Sequence, residues 1–346
     1  MQVLQFKTVH LAVIGAIASV FGMAAENINA EPLLTYEQNK VVDNVLSNAD
    51  AGTQGFLYLN KKGETYSGQN ASSDTLSFVN KTTGTNSLVY LTGTGGSLTV
   101  SKLSELNFST EERLIGKAGN GADNVAILVN YNGSLSINSW GGGKLDFSGI
   151  KTLAFYTDGG QAINMQSTSS LSIKDVDTLI LDNYQSQEKA ANSLYSAIQL
   201  MVMAGDNRAS ADQQTVDVNV GNLVIKADSK YTQSAGISVT DYTKDYQGTS
   251  SIKGSFAAKN ISIDGGTYGI RSNRSTENSR DSVLDVTAEN SLVVNGGKNA
   301  VWLNNEAGHG ITFNAEAANA TFTGGEEGVL SENGTASIKA DSLTVS

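Results

Sequence analysis

The sequence predicts an all-β protein, a right-handed parallel β-helix whose coils run about 30 to 40 residues each. Three observations point to it. A short aliphatic motif recurs at near-regular spacing, runs of period-two alternation follow each occurrence, and Asp or Asn corners precede paired glycines.

The recurring motif is a small residue, a β-branched aliphatic, any residue, and then often an apolar one. It occurs as Ala126-Ile127-Leu128-Val129, Ala162-Ile163-Asn164-Met165, Ala197-Ile198-Gln199-Leu200 and Gly236-Ile237-Ser238-Val239. It returns as Gly269-Ile270-Arg271-Ser272, Ala300-Val301-Trp302-Leu303 and Gly328-Val329-Leu330-Ser331. Positions 127, 163, 198, 237, 270, 301 and 329 differ by 36, 35, 39, 33, 31 and 28 residues, a regularity that chance does not supply. If each motif is a strand paired with its equivalent one coil on, about 4.8 Å away, the aliphatics stack in an inward column. The residue after each then points outward: Leu128, Asn164, Gln199, Ser238, Arg271, Trp302 and Leu330.

Two more short alternating runs follow each motif, such as Leu171-Ser172-Ile173 then Leu179-Ile180-Leu181, and Leu284-Asp285-Val286 then Leu292-Val293-Val294. Period-two alternation over a few residues means a short strand with one buried face. Three short strands and three turns per coil are therefore expected. The third run tends to close on Asp158, Asp182, Asp228, Asp264 or Asn295, several of them before Gly-Gly. Asn and Asp bond to their own turn and Gly tolerates positive φ, so these are the corners. Leucine-rich repeats need a shorter period, and a transmembrane barrel needs strands of roughly ten residues.

The chain divides into three segments by this reading: 1–30, a signal peptide; 31–87, an N-terminal cap with irregular first coils; and 88–346, the β-helix. Lys7 precedes an uncharged stretch from Leu11 to Ala25, and Ile28-Asn29-Ala30 offers a small-residue cleavage site, with Ala24 or Ala25 as alternatives. That apolar run is short for a membrane span. In the cap, Thr35 and Gln38 suggest a capping box opening a short helix that carries Val41, Val42, Val45 and Leu46. Phe56–Leu59 and Leu76–Val79 read as irregular first coils. At the other end the chain stops just as a third strand finishes, without a cap over its open edge. The sequence is therefore expected to be a fragment of a longer protein.

Composition agrees. Aromatics are only 7%, against 39% hydrophobic residues, 36 glycines and one proline, which suits a repetitive core of small aliphatics. There is no cysteine, so an exported chain of this kind holds by ladders and stacking rather than disulfides. A net charge of −11 argues against nucleic acid and against anionic lipid as partners.

A signal peptide over Leu11–Ala30, no cysteine, an acidic balance and Gly/Asn/Ser/Thr-rich coils from Leu88 to Ser346 together resemble the passenger of a bacterial type V autotransporter. The resemblance implies export through the inner membrane, folding on the cell surface or secretion, and attachment to the outer membrane through a C-terminal barrel missing from this chain. Many passengers of this family are adhesins and some are enzymes.

A catalytic constellation is not found. The Gly-Asp-Ser-Gly setting of the serine-protease passengers does not occur, and Gly205-Asp206-Asn207 has no nucleophile. His309 is the one histidine beyond the signal, so any Ser/His/Asp triad would have to use it. It reads as a solvated loop residue. Gly308-His309-Gly310 is similar to the His-Gly element of β-helical polygalacturonases, yet no Asp-Asp pair accompanies it. Glycoside cleavage needs two carboxylates at a set separation. With no Cys and one usable His, zinc has no ligand set. No cofactor and no metal are expected.

The informative feature is where coils bulge. Ala204–Thr215, Thr240–Ser251 and Ser272–Ser282 are long, whereas the equivalent Asn130–Ser134 and Gln166–Ser170 are short. Leaving the same strand in neighbouring coils, the long segments are expected to emerge side by side, and insertions on one face of a solenoid commonly bind. The candidate partner-binding residues are Asp241, Tyr242, Asp245, Tyr246, Arg274 and Arg280. Mixed charge with two tyrosines suits a host or bacterial surface protein or a glycan. The expectation is a non-enzymatic adhesin or structural stalk, with a β-helical polysaccharide lyase or glycoside hydrolase as the alternative.

Overall fold

The computed structural model describes strand segments between Val45 and Val129 and then Lys144–Ser346, apart from 159–160, 167–169, 185–195, 204–212, 228–233, 243–250, 275–280 and 306–309. In chain order the strands are β1 (Val45–Ser47), β2 (Leu57–Leu59), β3 (Thr65–Gly68), β4 (Thr75–Asn80), β5 (Val89–Leu91), β6 (Ser97–Thr110) and β7 (Ile127–Val129). There follow β8 (Lys144–Asp158), β9 (Ile163–Gln166), β10 (Ser170–Tyr184), β11 (Ser196–Met203), β12 (Gln213–Ala227), β13 (Ala235–Tyr242) and β14 (Ser251–Asp264). The last are β15 (Tyr268–Arg274), β16 (Ser282–Gly296), β17 (Asn299–Asn305), β18 (Ile311–Gly324), β19 (Glu327–Ser331) and β20 (Thr335–Val345).

The even-numbered strands from β4 onward, headed by β1, form an 11-stranded sheet that β3 joins beside β6. The odd-numbered strands from β5, with β2, form a 9-stranded sheet. From β4 the chain alternates between the sheets, each strand pairing in parallel with its equivalent a coil earlier. The described residues are thus all-β and form a parallel β-helix.

Register confirms the inward column residue by residue. Ile127 pairs with Ile163, Ile163 with Ile198, Ile198 with Ile237, Ile237 with Ile270, Ile270 with Val301 and Val301 with Val329. From Ile163 to Val301 these side chains are fully buried. A second column on the long sheet runs Phe147, Ile173, Val218, Phe256, Val286, Ala315 and Ile338. Each phenylalanine in it is flanked by aliphatic register partners, Phe256 by Val218 and Val286. Toward the C-terminal end the third run's columns finish on Leu343 and Val345, which are 50% and 49% exposed.

The structure corrects the expectation of three separate short strands. The second and third runs form one continuous strand, of 14 or 15 residues in each coil from β6 to β18 and of 11 in β20. Buried positions in β12 are 214, 216, 218 and 220, then 223, 225 and 227, with two less-buried residues, Gly221 and Asn222, between. The change of phase is a bend, and the ladder to β14 runs through it from Gln213 to Lys226. Upstream, the bend coincides with residues at positive φ, Gly149 (63°) in β8 and Asp175 (53°) in β10. Alternation shows a phase change but not whether hydrogen bonds continue across it. Asp182, expected at a corner, accordingly lies inside β10.

The corner between long and short strands is a column of glycines. A Cβ on Gly265 would stand 1.6 Å from the Tyr268 carbonyl oxygen, and on Gly296 or Gly324 1.9 Å from the carbonyl oxygens of Asn299 or Glu327. Gly266 adds φ 70°, a conformation that suits Gly. Neighbouring corners are tied by Lys298 N–H to Thr267 O (2.9 Å) and Glu326 N–H to Lys298 O (2.8 Å). The small residue opening the motif has the same origin: a Cβ on Gly236 would meet Ile263 Cγ2 at 2.5 Å, and on Gly269 Val294 Cγ1 at 2.4 Å.

Two further expectations change. Val45 and Leu46 lie in β1, paired with Ser77 and Phe78 of β4, rather than on a helix; Thr35, Gln38, Val41 and Val42 lie outside the described residues, among which no helix occurs. The residues following the inward aliphatics do face away from that column, but they are not solvated. Asn164, Gln199, Ser238 and Arg271 are only 7, 3, 2 and 3% exposed. The short sheet is therefore buried on both faces over these coils.

Candidate functional site

The expected loop-bearing edge has its roots in register. β11 ends at Met203, paired with Tyr242 at the end of β13, and Val202 pairs with Asp241. Thr240 of β13 pairs with Asn273, one residue before β15 ends at Arg274, and Arg274 pairs with Asn305 at the end of β17. The three long connections to β12, β14 and β16 thus leave successive strands of one sheet at one edge. On either side the equivalent connections are shorter, 167–169 and 306–310. The parallel ladder enforces this, because equivalent strand ends align whatever the loops contain.

Of the six candidate binding residues, Asp241 and Tyr242 close β13 and Arg274 closes β15. Asp245, Tyr246 and Arg280 lie outside the described residues, as does His309. Asp281 is exposed beside the third root, where its Oδ1 accepts from Gly310 N–H at 3.0 Å. The strands β13 and β15 therefore continue further into the expected loops than alternation indicated.

The same sheet carries a cluster that the site expectation missed. Arg271 and Trp302 are register partners on β15 and β17. The Trp302 indole stacks on Tyr268, centroids 5.0 Å apart and planes 19° apart. The Arg271 guanidinium lies 5.4 Å from the Tyr268 ring centre and 5.1 Å from that of Trp302. Such contacts gain when desolvated. Burial pushes the Arg271 pKa below its ordinary value, with Tyr268 acting in the opposite direction. Trp302 Nε1–H donates to Glu332 Oε2 at 3.0 Å, and Glu332 N–H donates to Leu303 O at 2.8 Å. Tyr268 and Arg271 are buried, Trp302 is half-buried and Glu332 is exposed, so the cluster runs from interior to surface. The legible signal was the coil spacing, which puts Arg271 and Trp302 side by side.

The face carrying this cluster also holds a line of amides. Gln161 Nε2 donates to Gln199 Oε1 at 2.7 Å, and Gln199 Nε2 donates to Thr240 Oγ1 at 3.4 Å. Ladders of this kind satisfy buried polar groups from coil to coil. The arrangement can hold a rigid, polar, aromatic-bearing face beneath a loop edge. Among the described residues there is no group of three or more His, Cys, Asp or Glu side chains placed to hold a metal ion. Comparison with family models, with curated proteins and with solved structures finds no match to this chain.

Proposed function

We propose that this chain is an exported, autotransporter-like passenger displayed at the cell surface, where its β-helix presents loops for adhesion without catalysing a reaction. The observation that carries the reading is the alignment of three long connections, 204–212, 243–250 and 275–281, rooted at the register-matched ends of β11, β13 and β15. A rigid ladder that aligns variable loops is how solenoids build extended contact surfaces. The signal-like N-terminus supports export, and the acidic charge and the absence of cysteine accord with the passenger resemblance. The partner class is a surface protein or glycan, matching the mixed charge and tyrosines of Asp241, Tyr242, Asp245, Tyr246, Arg274 and Arg280.

The test replaces 243–250 and 275–280 with short Gly/Ser linkers, sparing every strand. Beads coated with either protein are scored on cultured cell monolayers and on a glycan array. The replaced protein should keep its circular dichroism and melting behaviour and lose attachment. Undiminished attachment by the replaced protein, or none by the parent, overturns the reading.

A further inference from the structure

Two Asn-Gly dipeptides lie among the described residues, and the fold treats them differently. Asn295-Gly296 closes β16 inside the long sheet. Asn295 pairs with Asp264 on one side and Thr323 on the other, and Gly296 pairs with Gly324. Gly265 N–H donates to Asn295 O at 3.0 Å, and the packing at Gly296 leaves no room even for a Cβ. Asn333-Gly334 instead sits in the connection between β19 and β20, with Asn333 exposed. Gly334 O accepts from Ser331 Oγ at 2.7 Å, closing a local turn in which Asn333 and Gly334 themselves lie between the strands, in neither strand's register.

We propose that Asn333 is a site of spontaneous deamidation that the fold leaves open while it closes Asn295. The backbone nitrogen of Gly334 attacks the Asn333 side-chain carbonyl carbon, and a new C–N bond forms. The nitrogen's proton passes to the departing amide, which leaves as ammonia, and a five-membered imide remains. Water opens either imide carbonyl to give aspartate or isoaspartate, so amide and water become carboxylate and ammonium with no redox change. Glycine favours the attack because no Cβ crowds the nitrogen. A strand residue paired on both sides must first break its ladder to reach the required geometry, and its rate falls by that opening equilibrium.

The location gives the reaction a consequence. Asn333 follows Glu332, whose carboxylate holds the Trp302 indole. A new negative charge arises beside that contact, and isoaspartate adds a methylene to the turn that positions it.

The full chain is incubated in mildly alkaline buffer, native and in urea, and peptides covering both sites are followed by mass gain and chromatographic splitting. In the native protein Asn333 should convert roughly tenfold or more faster than Asn295, and in urea the two should convert at comparable rates. Gly334→Ala should slow conversion at 333 in both conditions. Equal native rates, or retention of the Asn333 amide while Asn295 converts, would overturn the proposal.

Discussion

Gly265→Ala tests the corner column most sharply, with Gly310→Ala as its partner. At Gly265 the added methyl would stand 1.6 Å from the Tyr268 carbonyl oxygen, 2.3 Å from its carbon and 2.5 Å from Gly269 Cα. All three are backbone atoms, so no side chain can swing aside. Restoring ordinary contact, which begins at 3.4 Å, requires about 2 Å of movement, nearly half the spacing between coils. The corner is also tied to the next coil by Gly265 N–H to Asn295 O. Overpacking of this kind costs about 3 kcal/mol, the upper end of the usual range, because the strain cannot relax into a rotamer. At Gly310 nothing lies within 4 Å of the added atom, and alanine keeps the N–H that Asp281 accepts. There the change should stabilise by about 0.5 kcal/mol, by narrowing the unfolded ensemble. Urea unfolding followed by circular dichroism reads both, with the Gly265→Ala midpoint lower by roughly 1 M and that of Gly310→Ala equal or slightly higher. Equal midpoints for the two variants would refute the steric account of the corner.

Two further outcomes follow from side chains. Arg271→Lys should destabilise by about 1–2 kcal/mol and shift Trp302 emission to longer wavelength, because an ammonium cannot lie as a plate against Tyr268 and Trp302. A spectrum and melting curve matching the parent would refute that role. Lys174 Nζ sits 2.6 Å from Asp217 Oδ2, and the hydrogen bond and charge of Asp217 raise the lysine pKa above 10.5. The folded state therefore favours the ammonium, so the bridge's contribution is complete below the ordinary lysine value and is lost as pH rises through the raised one. The melting difference between parent and Lys174→Met should stay constant from neutral to mildly alkaline pH and shrink above pH 10.5; a difference that persists there would contradict the assignment.

The sequence by itself determined the coil. Seven aliphatics from Ile127 to Val329 mark one strand, and the structure pairs each with the next because a parallel ladder aligns equivalent residues. The small residues before them and the Gly corners were equally legible, since close backbone approach leaves no alternative to them. Only the tertiary structure decided what lies across the coil and beyond it. Local alternation could not tell that the second and third runs share one bent strand, because a phase change looks alike with or without a continuous ladder. Nor could it tell that Asn164, Gln199, Ser238 and Arg271 are buried, because a polar residue on a strand reads as solvated until something packs over it. The loop edge was legible as unequal spacing. Coil spacing set Arg271 beside Trp302, but the stacking of the Trp302 ring on Tyr268 was not legible, since those two are not register partners and only side-chain packing brings their rings to 5.0 Å.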